Sequence, residues 1–334
     1  MRTVVFGYHS VGSIGIQALI DAGFQIVAVV THRDSPRETI WFDSVAEKAH
    51  ALGVPVLLPD DPNSEEMAQA LAALNPEVVF SFYYRTVLKK RILNLFKRGA
   101  FNLHGSLLPA YRGCAPINWQ ILHGETRTGV TLHRMTPRID GGDIIDQLPL
   151  DIGPDDTALM AFEAMLPVMK QVLDRCLPKI LDGSVQGRPQ DNTHASYFGR
   201  RRPDDGRLLF ATMTAVQAYN LMRAVAYPYP GTFFFRDAEK VQVQWLRVAP
   251  DLNGLLGPDV HPGQVLKLNP LTVACQSGAI EIVEIGDPVP LGPRHGLPHE
   301  SGPGARRDTS PAKGQWGGAE WARQRGLQIG AVLR

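Results

Sequence analysis

A chain of 334 residues, 44% hydrophobic and 20% charged, carries enough apolar material for one large or two modest domains and is not composed like a disordered protein. Its formal net charge of +1 supplies no global field for a nucleic-acid backbone, so no nucleic-acid partner is expected. Three scattered cysteines, Cys114, Cys176 and Cys275, exclude a disulfide framework and a cysteine metal site. The amino terminus MRTVVFGYHS does not read as a secretory signal, and no apolar run approaches the ~20 residues of a membrane span. A cytoplasmic soluble protein is the expectation.

The first half alternates strand and helix patterns. Thr3–Phe6 reads as a strand, Gly7 to Gly12 as a tight turn, and Ile14–Ala22 as an amphipathic helix. Gln25–Val30 is a second β-branched run, followed by helical spacing over Phe42–Leu52 and strand character over Val54–Leu58. Met67–Leu74 is helical, and Glu77–Phe82 is the next apolar strand. Continuous apolar strands between helices predict a parallel sheet covered on both faces, in a doubly wound, Rossmann-like α/β core over residues 1–190. Ligands of such sheets sit beyond the strand carboxyl ends, where Tyr83–Leu88, Asn102–Gly113 and Pro137–Asp143 would emerge.

A helix is predicted over Leu159–Leu177, kinked at Pro167 and ended before Pro178. Breakers at Gly183, Gly187 and Pro189 follow. Beyond them, Ala215–Ala226 has helical spacing. Thr232–Phe235, Val241–Val248, Val265–Leu268, Leu271–Ala274 and Ala279–Val283 are short β-rich runs. They predict a second, smaller β-barrel (OB-like) domain over 200–285. Residues 286–317 are rich in Gly, Pro, Arg and Ser and are expected to form a flexible insert. Helical spacing returns over 318–334 as a closing helix.

The most informative segment is Asn102-Leu103-His104-Gly105-Ser106-Leu107-Leu108-Pro109. Alternate residues of a strand share a face, so Asn102 and His104 point the same way. An amide donor beside an imidazole suits acyl transfer: the amide stabilises a developing oxyanion and the imidazole handles protons. The plainer reading is a core histidine and a turn asparagine. The Gly-Ser-Leu-Leu-Pro loop that follows favours the functional one. Asp140 and Asp143 both lie in the turn Arg138-Ile139-Asp140-Gly141-Gly142-Asp143, and composition does not separate them. A carboxylate beside His104 would favour the charged imidazole.

This segment, with Tyr111-Arg112-Gly113 and Asp140, resembles the folate-dependent formyltransferases. Phe80-Ser81-Phe82-Tyr83-Tyr84-Arg85, Gly129-Val130-Thr131-Leu132-His133-Arg134-Met135 and Phe198-Gly199-Arg200-Arg201 look like the subfamily acting on UDP-4-amino-4-deoxy-L-arabinose. The likeness covers roughly residues 1–285. It implies a transferase moving a formyl group from 10-formyltetrahydrofolate, as co-substrate, to the 4-amine of that UDP-linked sugar, as in lipid A modification and cationic peptide resistance. Asn102 would stabilise the oxyanion, His104 would shuttle protons and Asp140 would orient His104. Folate contacts map onto Thr86, Val87, Leu88, Cys114, Thr136, Pro137, Arg138, Ile139 and Asp140. Position 114 is Cys114 where the arabinose enzymes usually carry arginine, and the insert at 286–317 is foreign to the family pattern.

In that setting Arg200 and Arg201 are candidates for the uridine diphosphate, since guanidinium forks match phosphate oxygens, although a run of three arginines is more often a solvated face. Two further functions stand beside the sugar reading: formylation of methionyl-tRNA, and non-catalytic binding of folate or nucleotide. Gly7-Tyr8-His9-Ser10-Val11-Gly12 lacks dinucleotide-loop spacing. His295 and His299 are an i, i+4 pair with Pro298 between them, so no helix aligns them for a metal, and no metal is expected.

Overall fold

The computed structural model describes residues 1–35, 39–252, 257–286 and 316–334. The expected insert, with His295 and His299, falls outside the described residues except at Gly286 and Trp316–Gly317. The chain divides into two compact units. One comprises Met1–Pro116, Arg127–Asp151 and Phe162–Arg200; the other comprises Ile117–Thr126, Ile152–Ala161 and Arg201–Arg334.

In chain order the first half contains β1 (Arg2–Gly7), α1 (His9–Asp21), β2 (Gln25–Val30), α2 (Val45–Ala51), β3 (Val56–Leu57), α3 (Glu65–Ala73) and β4 (Val78–Phe82). Then come α4 (Lys90–Leu93), β5 (Gly99–His104), β6 (Arg112–Gly113), α5 (Pro116–Leu122), β7 (Arg127–Arg134), β8 (Ile144–Asp151), α6 (Ala158–Asp182) and β9 (Tyr197–Phe198). The main sheet has the order β3-β2-β1-β4-β5-β7-β8. Its first five strands are parallel, whereas β7 and β8 are antiparallel additions. The continuous apolar strands are buried on both faces, as parallel strands between helices must be. Val4, Phe6, Val30, Val79, Leu71 and Leu88 form one core cluster.

Three local expectations are corrected. The turn after β1 is short and helix α1 begins at His9, with Gly12 inside it. A Cβ on Gly12 would lie 2.5 Å from Val45 Cγ2, so this glycine serves close helix packing rather than a turn. Helix α6 runs through both Pro167 and Pro178 to Asp182. Its buried stripe of Phe162, Met165, Met169, Val172, Leu173, Cys176, Leu177 and Ile180 outweighs the local cost of proline. The last helix is also shorter than its spacing predicts, ending at Gln324.

The second unit contains α7 (Ala215–Val225), β10 (Thr232–Arg236), β11 (Glu239–Val248), β12 (Val265–Leu268), β13 (Leu271–Ala274), β14 (Ala279–Ile285), β15 (Trp316–Gly317) and α8 (Gly318–Gln324). Its antiparallel strands run β10-β11-β14-β13-β12, with β15 paired to β14. A Thr214–Gln217 capping box starts α7. Helix α8 stops at Gln324 because the tail gives its backbone to other partners: Gly330 N–H donates to Val265 at 2.9 Å, and Leu333 N–H to Gly263 at 2.9 Å. Among the described residues, no helix is long and apolar enough to cross a membrane.

Candidate active site

Strand β5 sets the geometry. It pairs in parallel with β4, putting Ser81 opposite Asn102, and antiparallel with β7, putting His133 opposite Asn102 and Thr131 opposite His104. Five polar side chains thus share one face of an otherwise apolar sheet. Thr131 fixes the loop leaving β5: its hydroxyl donates to the Ser106 carbonyl at 2.6 Å and accepts from Leu108 N–H at 3.2 Å. Gln147 of β8 adds donations to the Leu108 carbonyl at 2.7 Å and to Thr131 Oγ1 at 2.8 Å. The loop therefore returns in a defined position, and the carbonyl of Tyr111 meets His104 Nε2 at 2.8 Å. A carbonyl only accepts, so His104 Nε2 carries a proton.

The carboxylate beside His104 is that of Asp140, with Oδ2 at 3.7 Å from His104 Nδ1. Asp143 instead extends the β7–β8 ladder, its carbonyl accepting from Arg134 N–H at 2.8 Å. Asp140 has a positive φ of 48°, a conformation aspartate tolerates, and Tyr111 and Ala115 are also in the left-handed region. Gly113 N–H donates to Asp140 Oδ2 at 2.8 Å. On the other oxygen, His133 Nε2 lies at 3.3 Å and Asn102 Nδ2 at 3.4 Å. Burial alone would raise the Asp140 pKa. The charge of His104 and the Gly113 amide outweigh it and hold the carboxyl well below the usual range.

The chain around Asp140 is held through its backbone. Gln190 Nε2 donates to the carbonyls of Asp140 and Gly142 at 2.8 and 2.6 Å. Gln190 in turn accepts from Arg112, a fully buried guanidinium that also donates to Tyr197 and Asn192. Strands β6 and β9 pair here, Arg112 with Tyr197 and Gly113 with Phe198.

Val87 and Ile139 expose their side chains, at 51% and 46%, whereas Leu88 is buried in the core and Thr86 is half-buried. Cys114 is half-buried and its N–H donates to the Phe198 carbonyl at 2.9 Å. Arg138 Nε donates to Tyr197 Oη at 2.8 Å, and Thr136 Oγ1 to the Arg138 carbonyl at 3.0 Å. Thr136 and Pro137 line a cleft of about 300 Å³ with Phe96, Ala100 and Met135, which none of Asn102, His104 and Asp140 lines. Arg200 Nη2 donates to the Arg85 carbonyl at 2.8 Å in the first unit. In the second unit, Arg201 donates to the Asp205 carbonyl and stacks 4.8 Å over Trp119. Among the described residues, no group of three or more His, Cys, Asp or Glu is arranged to hold a metal ion.

Sequence reasoning assigned no role to His133, Gln190 or Arg112. His133 becomes visible only through the antiparallel register of β7, and Gln190 only through a contact 50 residues away in sequence.

Residues 1–175 match the family model described as formyl transferase, and residues 201–288 match the formyl transferase C-terminal domain. Among solved structures, the fold is similar to an N-formyltransferase from Helicobacter canadensis, in complex with folinic acid and dTDP-3-aminofucose. That match has 22% identity and a TM-score of 0.64 over 84% of this chain and 98% of that one. WlaRD, a sugar 3N-formyl transferase in the presence of dTDP and 5-N-formyl-THF, matches with 22% identity and a TM-score of 0.63, over 84% and 96%. HypX from Aquifex aeolicus, in complex with tetrahydrofolic acid, matches with 14% identity and a TM-score of 0.55, over 85% of this chain but 44% of that one.

Proposed function

This chain belongs to the formyl transferase family, and from that premise we propose that it moves a formyl group from 10-formyltetrahydrofolate to the amine of a nucleotide-linked amino sugar. The acceptor in this reading is the 4-amine of UDP-4-amino-4-deoxy-L-arabinose, in lipid A modification and cationic peptide resistance. The observation that carries it is the convergence of an amide donor, an imidazole and an ionised carboxylate: Asp140 lies 3.4 Å from Asn102 and 3.7 Å from His104. The acceptor is read from the sequence segments at 80–85, 129–135 and 198–201. It is supported in kind by similar structures that hold dTDP-linked amino sugar or dTDP.

The residues present fit a folate. Val87 and Ile139 offer exposed apolar side chains to a flat ring, and Asn102 offers an N–H donor. When bound, 10-formyltetrahydrofolate supplies an activated formyl carbon and a nitrogen leaving group. Asn102 then holds an amide N–H toward the charge that develops on the formyl oxygen as the amine attacks, a contribution that strengthens in the transition state. His104, anchored through Nε2–H to Tyr111, carries the amine's proton on Nδ1 and passes it to the departing nitrogen. Asp140 stabilises the ring while both nitrogens are protonated, and Gly113 and Gln190 keep that carboxylate in place. Arg200, beside the Arg85 carbonyl, and Arg201 are the candidates for the diphosphate.

The test supplies 10-formyltetrahydrofolate with UDP-4-amino-4-deoxy-L-arabinose, a dTDP-linked 3-amino sugar, or charged initiator tRNA, and follows tetrahydrofolate release and the N-formyl product. Fastest turnover is expected with the UDP sugar. Turnover with the dTDP sugar alone would replace the acceptor, and turnover with tRNA alone would overturn the sugar reading.

A further inference from the structure

We infer that His133 is a positioning residue for formyl transfer: its Nε2 accepts one hydrogen of the Asn102 amide and so leaves the other aimed at the formyl oxygen. The inference rests on the proposed reaction for its catalytic consequence, but its geometry stands on its own contacts.

His133 is buried at 2% exposure. Its Nδ1 lies 2.8 Å from the carbonyl of Arg134, which only accepts, so Nδ1 carries a proton and, in the neutral ring, Nε2 presents its lone pair. Asp140 approaches Asn102 with an ionised oxygen, also an acceptor only. An amide oxygen turned toward that carboxylate would be repelled, so the Asn102 nitrogen must face it. The same nitrogen lies 3.1 Å from His133 Nε2, and the contact is therefore N–H donating to a ring lone pair.

Asn102 Nδ2, His133 Nε2 and Asp140 Oδ1 stand 3.1, 3.4 and 3.3 Å apart, a nearly equilateral triangle. Seen from Nδ2, the two acceptors are about 60° apart, whereas the two hydrogens of a planar amide point about 120° apart. The acceptors share one hydrogen, and the second remains for the substrate. Without His133, the lone carboxylate oxygen at 3.4 Å is a poor anchor for the amide plane. Asn102 could then rotate about χ2, which is a soft torsion.

Three substitutions separate the two ring nitrogens. In His133→Gln the longer amide reaches the place of Nε2, in His133→Asn it reaches only the place of Nδ1, and His133→Leu supplies neither. His133→Gln should keep kcat within a few-fold. His133→Asn and His133→Leu should lose about 10- to 100-fold in kcat with KM for both substrates unchanged, the usual range for a residue that orients a reacting group. Melting temperatures identify any variant that fails to fold, and the Gln and Asn pair, both polar, keeps the comparison valid if leucine is not tolerated. Nitrogen-15 spectra of histidine-labelled wild-type protein should show His133 as the Nδ1–H tautomer. Unchanged kcat in His133→Leu, a Gln variant as slow as the Asn variant, or a proton on His133 Nε2 would each overturn the inference. Failure of the underlying reading looks different: wild-type protein would not formylate the sugar, while the tautomer measurement would still decide the His133–Asn102 contact.

Discussion

Gln190 holds Asp140 by its main chain rather than by its carboxylate, donating to the Asp140 carbonyl at 2.8 Å while its own oxygen accepts from Arg112. The carboxylate is left to His104, His133, Asn102 and Gly113, and the turn that carries it is tied to a fully buried guanidinium. Replacing Gln190 by leucine removes both functions. Arg112 keeps Asn192 and Tyr197 but loses its acceptor at Nε, and a buried charge short of a partner costs about 2–4 kcal/mol. Gln190→Leu should therefore lower the melting temperature by several degrees and reduce kcat, whereas Gln190→Glu restores an acceptor for Arg112 but turns an oxygen toward the Asp140 and Gly142 carbonyls, and should recover only part of the stability. Unchanged melting in Gln190→Leu would show that the buried guanidinium does not depend on this contact.

Gly113 combines a backbone requirement with a contact to the Asp140 carboxylate. Its φ is +102°, and a Cβ there would come within 2.2 Å of the Phe198 carbonyl oxygen. The same residue's N–H is the amide bonded to Asp140 Oδ2. Gly113→Ala must push β6 from β9 or rotate the peptide, at a cost of about 1–3 kcal/mol, and either response withdraws the amide. Thermal unfolding and steady-state kinetics should show a loss of kcat larger than the drop in stability explains. A variant with full activity would mean that Asp140 does not need this amide.

His9 couples the first unit's stability to pH. It stacks on Phe42 with ring centroids 4.0 Å apart, against Trp41 and Phe162, and its Nδ1 has no hydrogen-bond partner among the described residues. Burial first, and the nearby Arg85 charge second, push its pKa down from 6.5 to about 3. The unfolded chain therefore takes up a proton below pH 6.5 that the folded chain refuses until about pH 3. Stability from this residue is complete above pH 6.5 and declines as pH falls toward 3, by at most about 1.4 kcal/mol per pH unit. His9→Phe keeps the stack and removes the titration. Urea unfolding at pH 7 and pH 5 should show wild type losing about 1–2 kcal/mol more than the variant between the two. Equal losses would place the proton elsewhere.

The parallel half of the main sheet was legible because its strands are continuous apolar runs: Gln25–Val30 has the predicted ends, and Val78–Phe82 differs by one residue. Regions of competing physics were not. Proline predicted an end at Pro178, yet helix α6 continues to Asp182 on the strength of its buried stripe. Glycine predicted a turn at Gly12, where the missing Cβ serves packing against Val45. Alternation placed Asn102 and His104 on one face, but the choice between Asp140 and Asp143 needed three-dimensional structure, since both sit in one turn. Arg112 and His133 lie in segments that carry the family resemblance and Gln190 does not, but the roles of all three arise from strand register and from contacts between distant segments.

Single-turnover formyl transfer from 10-formyltetrahydrofolate to UDP-4-amino-4-deoxy-L-arabinose, comparing wild type with His104→Ala and Asp140→Asn, tests the central claim most directly. Wild type should release N-formyl sugar and tetrahydrofolate in equal amounts. His104→Ala should bind both substrates and transfer at least about 100-fold more slowly, the loss expected when a proton-handling group is removed, and Asp140→Asn should fall between them. Wild-type transfer with an equally fast His104→Ala would contradict the mechanism, and a wild-type protein that binds folate but releases no formylated sugar would contradict the proposed reaction.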